Sequence, residues 1–201
     1  MEISVLGNEN ARDVLLLPLD ERDMDKAERL AELIARDTQG DFRLMAFGIG
    51  DWNRDLSPWK APAAFGGKDF GGGSALILDE IMKHCKDRMR EYYIGGYSLA
   101  GLFALWAAYQ TDIFRGVAAA SPSIWFPGFV EYMKEGKIRC DQVYLSLGDR
   151  EEKTKNPVTS TVGDRIREAY QLLKEQDAVC TLEWNEGNHF RDVEERTARA
   201  F

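Results

Sequence analysis

Residues 92–101 read Tyr92-Tyr93-Ile94-Gly95-Gly96-Tyr97-Ser98-Leu99-Ala100-Gly101. A short aromatic and β-branched run passes through a glycine pair and reaches a serine, and from Ser98 to Gln110 the chain is apolar nearly all round. The first part reads as a strand, the last as a helix buried on every side at the centre of a sheet. A serine set in the turn between them needs small neighbours, because the backbone is strained and the flanking segments approach closely. Gly96 and Ala100 occupy the two small positions of G-x-S-x-G, the second in a relaxed form as Ala rather than Gly. A serine that merely capped the helix would explain neither the glycine pair before it nor the two partners that follow it in chain order.

Working outward, five more short apolar runs punctuate the chain: Val14 to Leu17, Phe42 to Ile49, Gly116 to Ala120, Val143 to Leu147 and Val179 to Trp184. Runs this short, without polar alternation, read as strands covered on both faces. Helical periodicity fills the gaps, over Asp23 to Asp37, Ala75 to Met89, Pro157 to Gln176 and Arg191 to Phe201. Alternation of strand and helix predicts an α/β architecture with a mostly parallel central sheet and helices on both faces. Two stretches break the pattern, Gly50 to Gly73 and Ser121 to Lys137, each rich in aromatic residues and Pro or Gly. They read as long irregular loops, which in a compact domain tend to be functional. With no repeat and no linker composition, residues 1–201 are expected to form a single domain, with almost no lid over its site.

Composition narrows the function classes. The 201 residues can bury a substantial core. With 34 acidic against 26 basic residues, a net charge of −8, a nucleic-acid-binding surface is disfavoured. Three cysteines, Cys85, Cys140 and Cys180, give no disulfide framework and fit a reducing compartment. They are isolated, and no His-x-x-x-His spacing accompanies them, so no metal site is expected. The opening MEISVLGNENARD lacks the basic start and apolar stretch of a secretory signal, and no apolar run approaches the roughly 20 residues of a membrane span. A soluble, cytoplasmic protein that engages neither nucleic acid nor membrane is the expectation.

A serine on such an elbow needs a base, and in the order Ser, acid, His the base follows the last strand. Only two histidines are present. His84 lies in Lys83-His84-Cys85-Lys86, read as a charged, solvated helical face. His189 lies in Glu186-Gly187-Asn188-His189-Phe190, directly after the sixth apolar run, and is the expected base. The acid should follow Val143 to Leu147, where Gly148-Asp149-Arg150-Glu151-Glu152 offers three carboxylates. A position a few residues past the strand-ending glycine favours Glu151, with Asp149 and Glu152 open. Negative charge on a carbonyl oxygen requires preorganised N–H donors: the Leu99 amide after the serine, and the amide of Asp51 or Trp52 in the loop after Phe42 to Ile49. The same loop carries Arg54, a guanidinium suited to an anionic or polyhydroxylated substrate, or to a structural ion pair.

Taken together these residues resemble the esterase family of α/β-hydrolases that includes enterochelin (siderophore) esterases, esterase D-type enzymes and feruloyl esterases. The resemblance is carried by Gly95-Gly96-Tyr97-Ser98-Leu99-Ala100-Gly101-Leu102, Ala119-Ala120-Ser121-Pro122-Ser123-Ile124-Trp125, Tyr144-Leu145-Ser146-Leu147-Gly148 and Asn188-His189-Phe190. It implies the α/β-hydrolase fold, Ser98 as nucleophile, His189 as base, and a Ser-Pro-Ser-x-Trp segment beside the site. It leaves the acid open, since some siderophore esterases work with a Ser–His dyad. Tyr97 and Trp125 then become candidate substrate-binding residues, and Trp52, Trp59, Trp125 and Phe126 either line an acyl or aromatic pocket or pack the loops.

The expected activity is hydrolysis of a small ester, siderophore-type or aromatic, through an acyl-serine intermediate and without a cofactor. A non-catalytic binding protein that keeps the elbow is a second reading, motivated by Ala100 and the undecided acid. An acyltransferase on the same scaffold is a third.

Overall fold

The computed structural model describes residues 1–38, 40–64 and 67–201. Among these residues the strands β1 (Ile3–Gly7), β2 (Asp13–Asp20), β3 (Arg43–Ile49), β6 (Glu91–Tyr97), β7 (Phe114–Ala120), β8 (Gln142–Gly148) and β9 (Val179–Asn185) form one sheet. Its order is β1-β3-β2-β6-β7-β8-β9. Every neighbouring pair is parallel except β1 with β3. A second, two-stranded sheet pairs β4 (Lys60–Ala61) with β5 (Phe70–Gly71).

The mostly parallel sheet follows from strand composition. Along β2, Val14 and Leu16 enter one apolar cluster, while Leu15 and Leu17 enter another on the opposite face. The first face is covered by α3 (Ser74–Met82), α4 (Leu99–Gln110), α5 (Phe129–Glu135) and α6 (Val162–Glu175). The second is covered by α1 (Lys26–Thr38) and α7 (Val193–Ala200). A strand buried on both sides has no room for polar alternation. Helix α4 crosses the middle of the sheet with Leu99 to Tyr109 all buried, as its apolar circumference requires. Among the described residues, no helix is long and apolar enough to cross a membrane.

The structure corrects several boundaries. Strand β1 was not expected; it is a five-residue antiparallel edge with Val5 exposed, too short and too open for its pattern to stand out. The helix expected to run to Met89 stops at Met82, where the amides of Lys83, His84 and Cys85 bond back three residues and a turn around Asp87 follows. His84 is therefore exposed beyond the helix, its ring edge on Phe47. The stretch Gly50 to Gly73 contains α2 (Trp52–Asp55) and the small sheet, and Ser121 to Lys137 contains α5; residues 65 and 66 lie outside the described ones. An aromatic cluster joins the two stretches, with Trp59 against Phe126, Phe129 and Tyr132, and Phe70 against Trp125 and Phe126.

Candidate active site

Parallel strands put their C-terminal ends along one edge, the usual place for a site in an open α/β sheet. Strand β6 ends at Tyr97 and α4 begins at Leu99, so Ser98 alone makes the turn, at φ 58° and ψ −118°. For a residue with a side chain this conformation costs about 1–3 kcal/mol and persists only where its surroundings fix it. Here its N–H donates to the Ala120 carbonyl (3.1 Å), and its own carbonyl accepts from Leu102 (3.1 Å) and Ser123 (3.0 Å). A Cβ on Gly96 would lie 2.5 Å from the Cβ of Ala100. The turn has space for one methyl at these two positions, and the relaxed motif places it at 100.

His189, in the turn after β9, brings Nε2 to 3.0 Å from Ser98 Oγ. Its Nδ1 lies 2.7 Å from Glu151 Oε2. Glu151 sits in a 3₁₀ turn (Glu151–Lys153) just past β8 and is almost fully buried. Its other oxygen, Oε1, accepts from Ser121 Oγ, the Gly148 amide and Arg196 Nη2, each at 2.7 Å. Burial alone would raise the Glu151 carboxyl, but the bonds from His189, Arg196 and Ser121 outweigh it and hold the group at about 2. An ionised Glu151 only accepts, so the Nδ1 proton belongs to His189 and Nε2 faces Ser98 as the acceptor.

The two other carboxylates go elsewhere. Asp149 accepts the Gly187 amide at 2.8 Å, bracing the turn that carries His189. Glu152 points outward and pairs with Arg167 at 3.2 Å.

Ser98 lies where two cavities meet. One, of about 450 Å³, is lined by Leu17, Leu19, Leu30, Trp52, Tyr97 and Val193, with charged groups such as Asp20 and Arg22 also on its walls. The other, of about 470 Å³, is lined by Pro122, Trp125, Val162, His189 and Phe190, with Arg150 and Lys153. The Leu99 amide is the first of α4, and the Trp52 amide is the first of α2; neither has an intrahelical acceptor. The Asp51 amide is occupied by the Asp55 carboxylate at 3.2 Å, leaving Trp52 the open donor of the expected pair.

Arg54 forms a forked ion pair with Asp55 and is absent from the described linings of both cavities. Trp125 and Trp52 line the cavities, whereas Trp59 and Phe126 belong to the aromatic cluster; Trp59 donates to the Pro127 carbonyl at 3.0 Å. The Tyr97 hydroxyl donates to the His189 carbonyl at 2.8 Å, holding the loop that carries His189. Ser123, in the Ser-Pro-Ser-x-Trp segment expected beside the site, has its Oγ 3.2 Å from Ser98 Oγ; sequence reasoning missed Arg196. Arg196 hides in the charged segment VEERTARA; the one visible signal is its company of small residues, Thr197, Ala198 and Ala200, which like it are buried.

No protein-family model matches the chain, and no curated protein matches it by sequence. Solved structures do match by shape. An IroE-like serine hydrolase from Shewanella oneidensis superposes with a TM-score of 0.76 at 18% identity, over 98% of this chain and 72% of that one. The siderophore hydrolase EstA from Aspergillus nidulans gives 0.68 at 19% identity, over 98% and 87%. A ferulic acid esterase gives 0.61 at 13% identity, over 100% and 98%. The chain has the α/β-hydrolase fold that these hydrolases and esterases share.

Proposed function

We propose that the chain is a serine carboxylic-ester hydrolase with Ser98 as nucleophile, His189 as base and Glu151 as acid. One observation carries this reading: the continuous relay from Glu151 Oε2 through His189 (2.7 Å and 3.0 Å) to the Oγ of a strained elbow serine. The esterase names of its structural neighbours agree with it.

Ser98 Oγ attacks the ester carbonyl as its proton passes to His189 Nε2. Charge collects on the carbonyl oxygen, where the Leu99 and Trp52 amides receive it. Glu151 keeps the imidazole in the required tautomer and offsets the imidazolium that forms. His189 then protonates the leaving alcohol, and water enters by the same route to release the acid and restore Ser98. No cofactor takes part in this scheme.

The substrate in this reading is a small ester, siderophore-type or aromatic. Trp125 and Phe190 on the wall of one cavity favour it, as do neighbours named siderophore hydrolase and ferulic acid esterase. Arg54 falls outside the proposed binding set because Asp55 engages it. The proposal takes residues 1–201 as one domain, since strands from both ends of the chain share one sheet. It places the protein in the cytoplasm, to which three free cysteines are suited.

Hydrolysis of p-nitrophenyl acetate tests the assignment. Ser98→Ala should abolish it and His189→Ala nearly so, both in folded protein. Full activity in either variant contradicts the proposal.

A further inference from the structure

The guanidinium of Arg196 is 3% exposed and lies behind the relay, not in either cavity. Its Nη2 donates to Glu151 Oε1 at 2.7 Å and to Ser121 Oγ, and its Nη1 reaches the Asn188 carbonyl at 3.2 Å. The guanidinium carbon lies 5.3 Å from the Tyr97 ring centre. One side chain on α7 thus ties together the loops after β7, β8 and β9, those that carry Ser121, Glu151 and His189.

A buried charge is a poor way to gain stability. An apolar side chain of similar volume is often as good or better, and the Nε of Arg196 has no acceptor among the described residues. What the guanidinium does is occupy Oε1 of Glu151 while Oε2 faces His189. We infer that Arg196 is a positioning residue of the active site, which fixes the Glu151 carboxylate and, through its charge, sets the pH range over which the coupled Glu151–His189 pair can accept the Ser98 proton. This inference rests on the serine-hydrolase reading above.

The other charged and titratable groups around the pair are accounted for. Tyr97 on β6 bonds the His189 carbonyl, Glu152 is drawn to Arg167, and Arg191 pairs with Glu186 and Asp192. Arg150 and Lys153 stand exposed at the rim of the neighbouring cavity. Among the described residues, Arg196 is the fixed cation that bonds Glu151, whose other oxygen faces the His189 imidazole.

The sign of the effect follows from charge alone. In the working form the pair of Glu151 and His189 holds the Nδ1 proton, and as pH falls the pair takes up one more. Removing a buried positive charge beside them raises the affinity of the pair for that proton, wherever it resides. The form of the pair competent to accept the Ser98 proton is then lost at a higher pH.

The test is the rate at which a fluorophosphonate probe labels Ser98, measured against pH. In Arg196→Met and in Arg196→Gln, which can still donate one hydrogen bond, the acidic limb should move upward by about one unit or more. In Arg196→Lys, which keeps the charge, it should stay close to wild type. A limb in Arg196→Gln or folded Arg196→Met that overlays the wild type overturns the proposal, whatever the loss of thermal stability, because a purely structural role leaves the limb in place. A wild-type protein that takes no label at Ser98 at any pH refutes the serine-hydrolase reading instead, so the two failures are distinct.

Discussion

The Nε2 atom of His189 lies 3.0 Å from the Oγ of Ser98, although the two residues are 91 positions apart in the chain. Parallel strand order closes that gap. Strands β6 and β9 run in one direction, so the turn that follows each arrives at the same edge of the sheet. The bond is held from both sides, with Ser98 fixed by its backbone contacts to Ala120 and Ser123, and His189 by Glu151 and by the Tyr97 hydroxyl.

Three carboxylates follow β8, and the structure joins one of them to the imidazole. Glu151→Gln should lower kcat by about 10⁴-fold, the order expected when the imidazole loses its tautomer control. Asp149→Asn and Glu152→Gln should each stay within about tenfold of wild type, as structural and surface changes away from the reacting atoms. Steady-state kinetics with p-nitrophenyl acetate decides this, and a collapse in Glu152→Gln alone would reassign the acid.

The depressed carboxyl of Glu151 ties stability to pH. Its folded-state value of about 2 lies below the ordinary 4.5, so its ionised form stabilises the fold above about 4.5 and that contribution fades as pH falls toward 2. Wild type should exceed Glu151→Gln in urea midpoint at neutral pH, and the difference should shrink across that acidic window. A difference that stays constant with pH contradicts the bonding described for Glu151.

The oxyanion donor proposed in the loop after β3 has a backbone test. Trp52 is the first residue of α2, where proline is tolerated, and Asp51 before it is extended at φ −124° and ψ 94°, clear of the helical region that proline disfavours in its predecessor. Trp52→Pro removes the N–H and should lower kcat by about 10²–10³-fold. Trp52→Ala keeps the N–H and should leave kcat within about tenfold, with the larger change in KM. Equal kcat in the two variants would remove Trp52 from the oxyanion hole.

Strain at the elbow can be released. Glycine accepts the Ser98 backbone angles at little cost, whereas alanine does not. Set against its greater freedom in the unfolded chain, Ser98→Gly should still be more stable than Ser98→Ala by about 1 kcal/mol. That corresponds to a Tm higher by about 2–4 °C for a chain of this size. Scanning calorimetry of the two inactive variants measures it; equal melting temperatures would mean that the turn stores no strain.

Five strands were legible because parallel strands buried on both faces read as unbroken apolar runs; β9, expected to be covered like them, is instead an edge strand with Val179 and Trp184 exposed, and its β-branched and aromatic residues gave it away. β1 was not legible, because it is a five-residue antiparallel edge whose short, half-open sequence carries no such run. The helices α2 and α5, of four and seven residues, are too short for a 3.6-residue period to register. At the site, Ser98 stood out through its small neighbours and His189 through the scarcity of histidine. The acid could not be singled out in Asp149-Arg150-Glu151-Glu152, since what separates these carboxylates is direction. Glu151 turns inward beneath Ser121 and Arg196, while Glu152 turns out to Arg167. Arg196 was hidden for the same reason: a charged helix reads as solvated until the sheet it covers is known.

The central claim is that Ser98 is a nucleophile activated by His189, and covalent trapping reads this directly. Intact mass and peptide mapping after fluorophosphonate treatment should give one adduct, on Ser98, formed by wild type and nearly absent from His189→Ala. Folded wild-type protein that takes no adduct, or takes it at Ser123 while Ser98 stays free, would contradict the account.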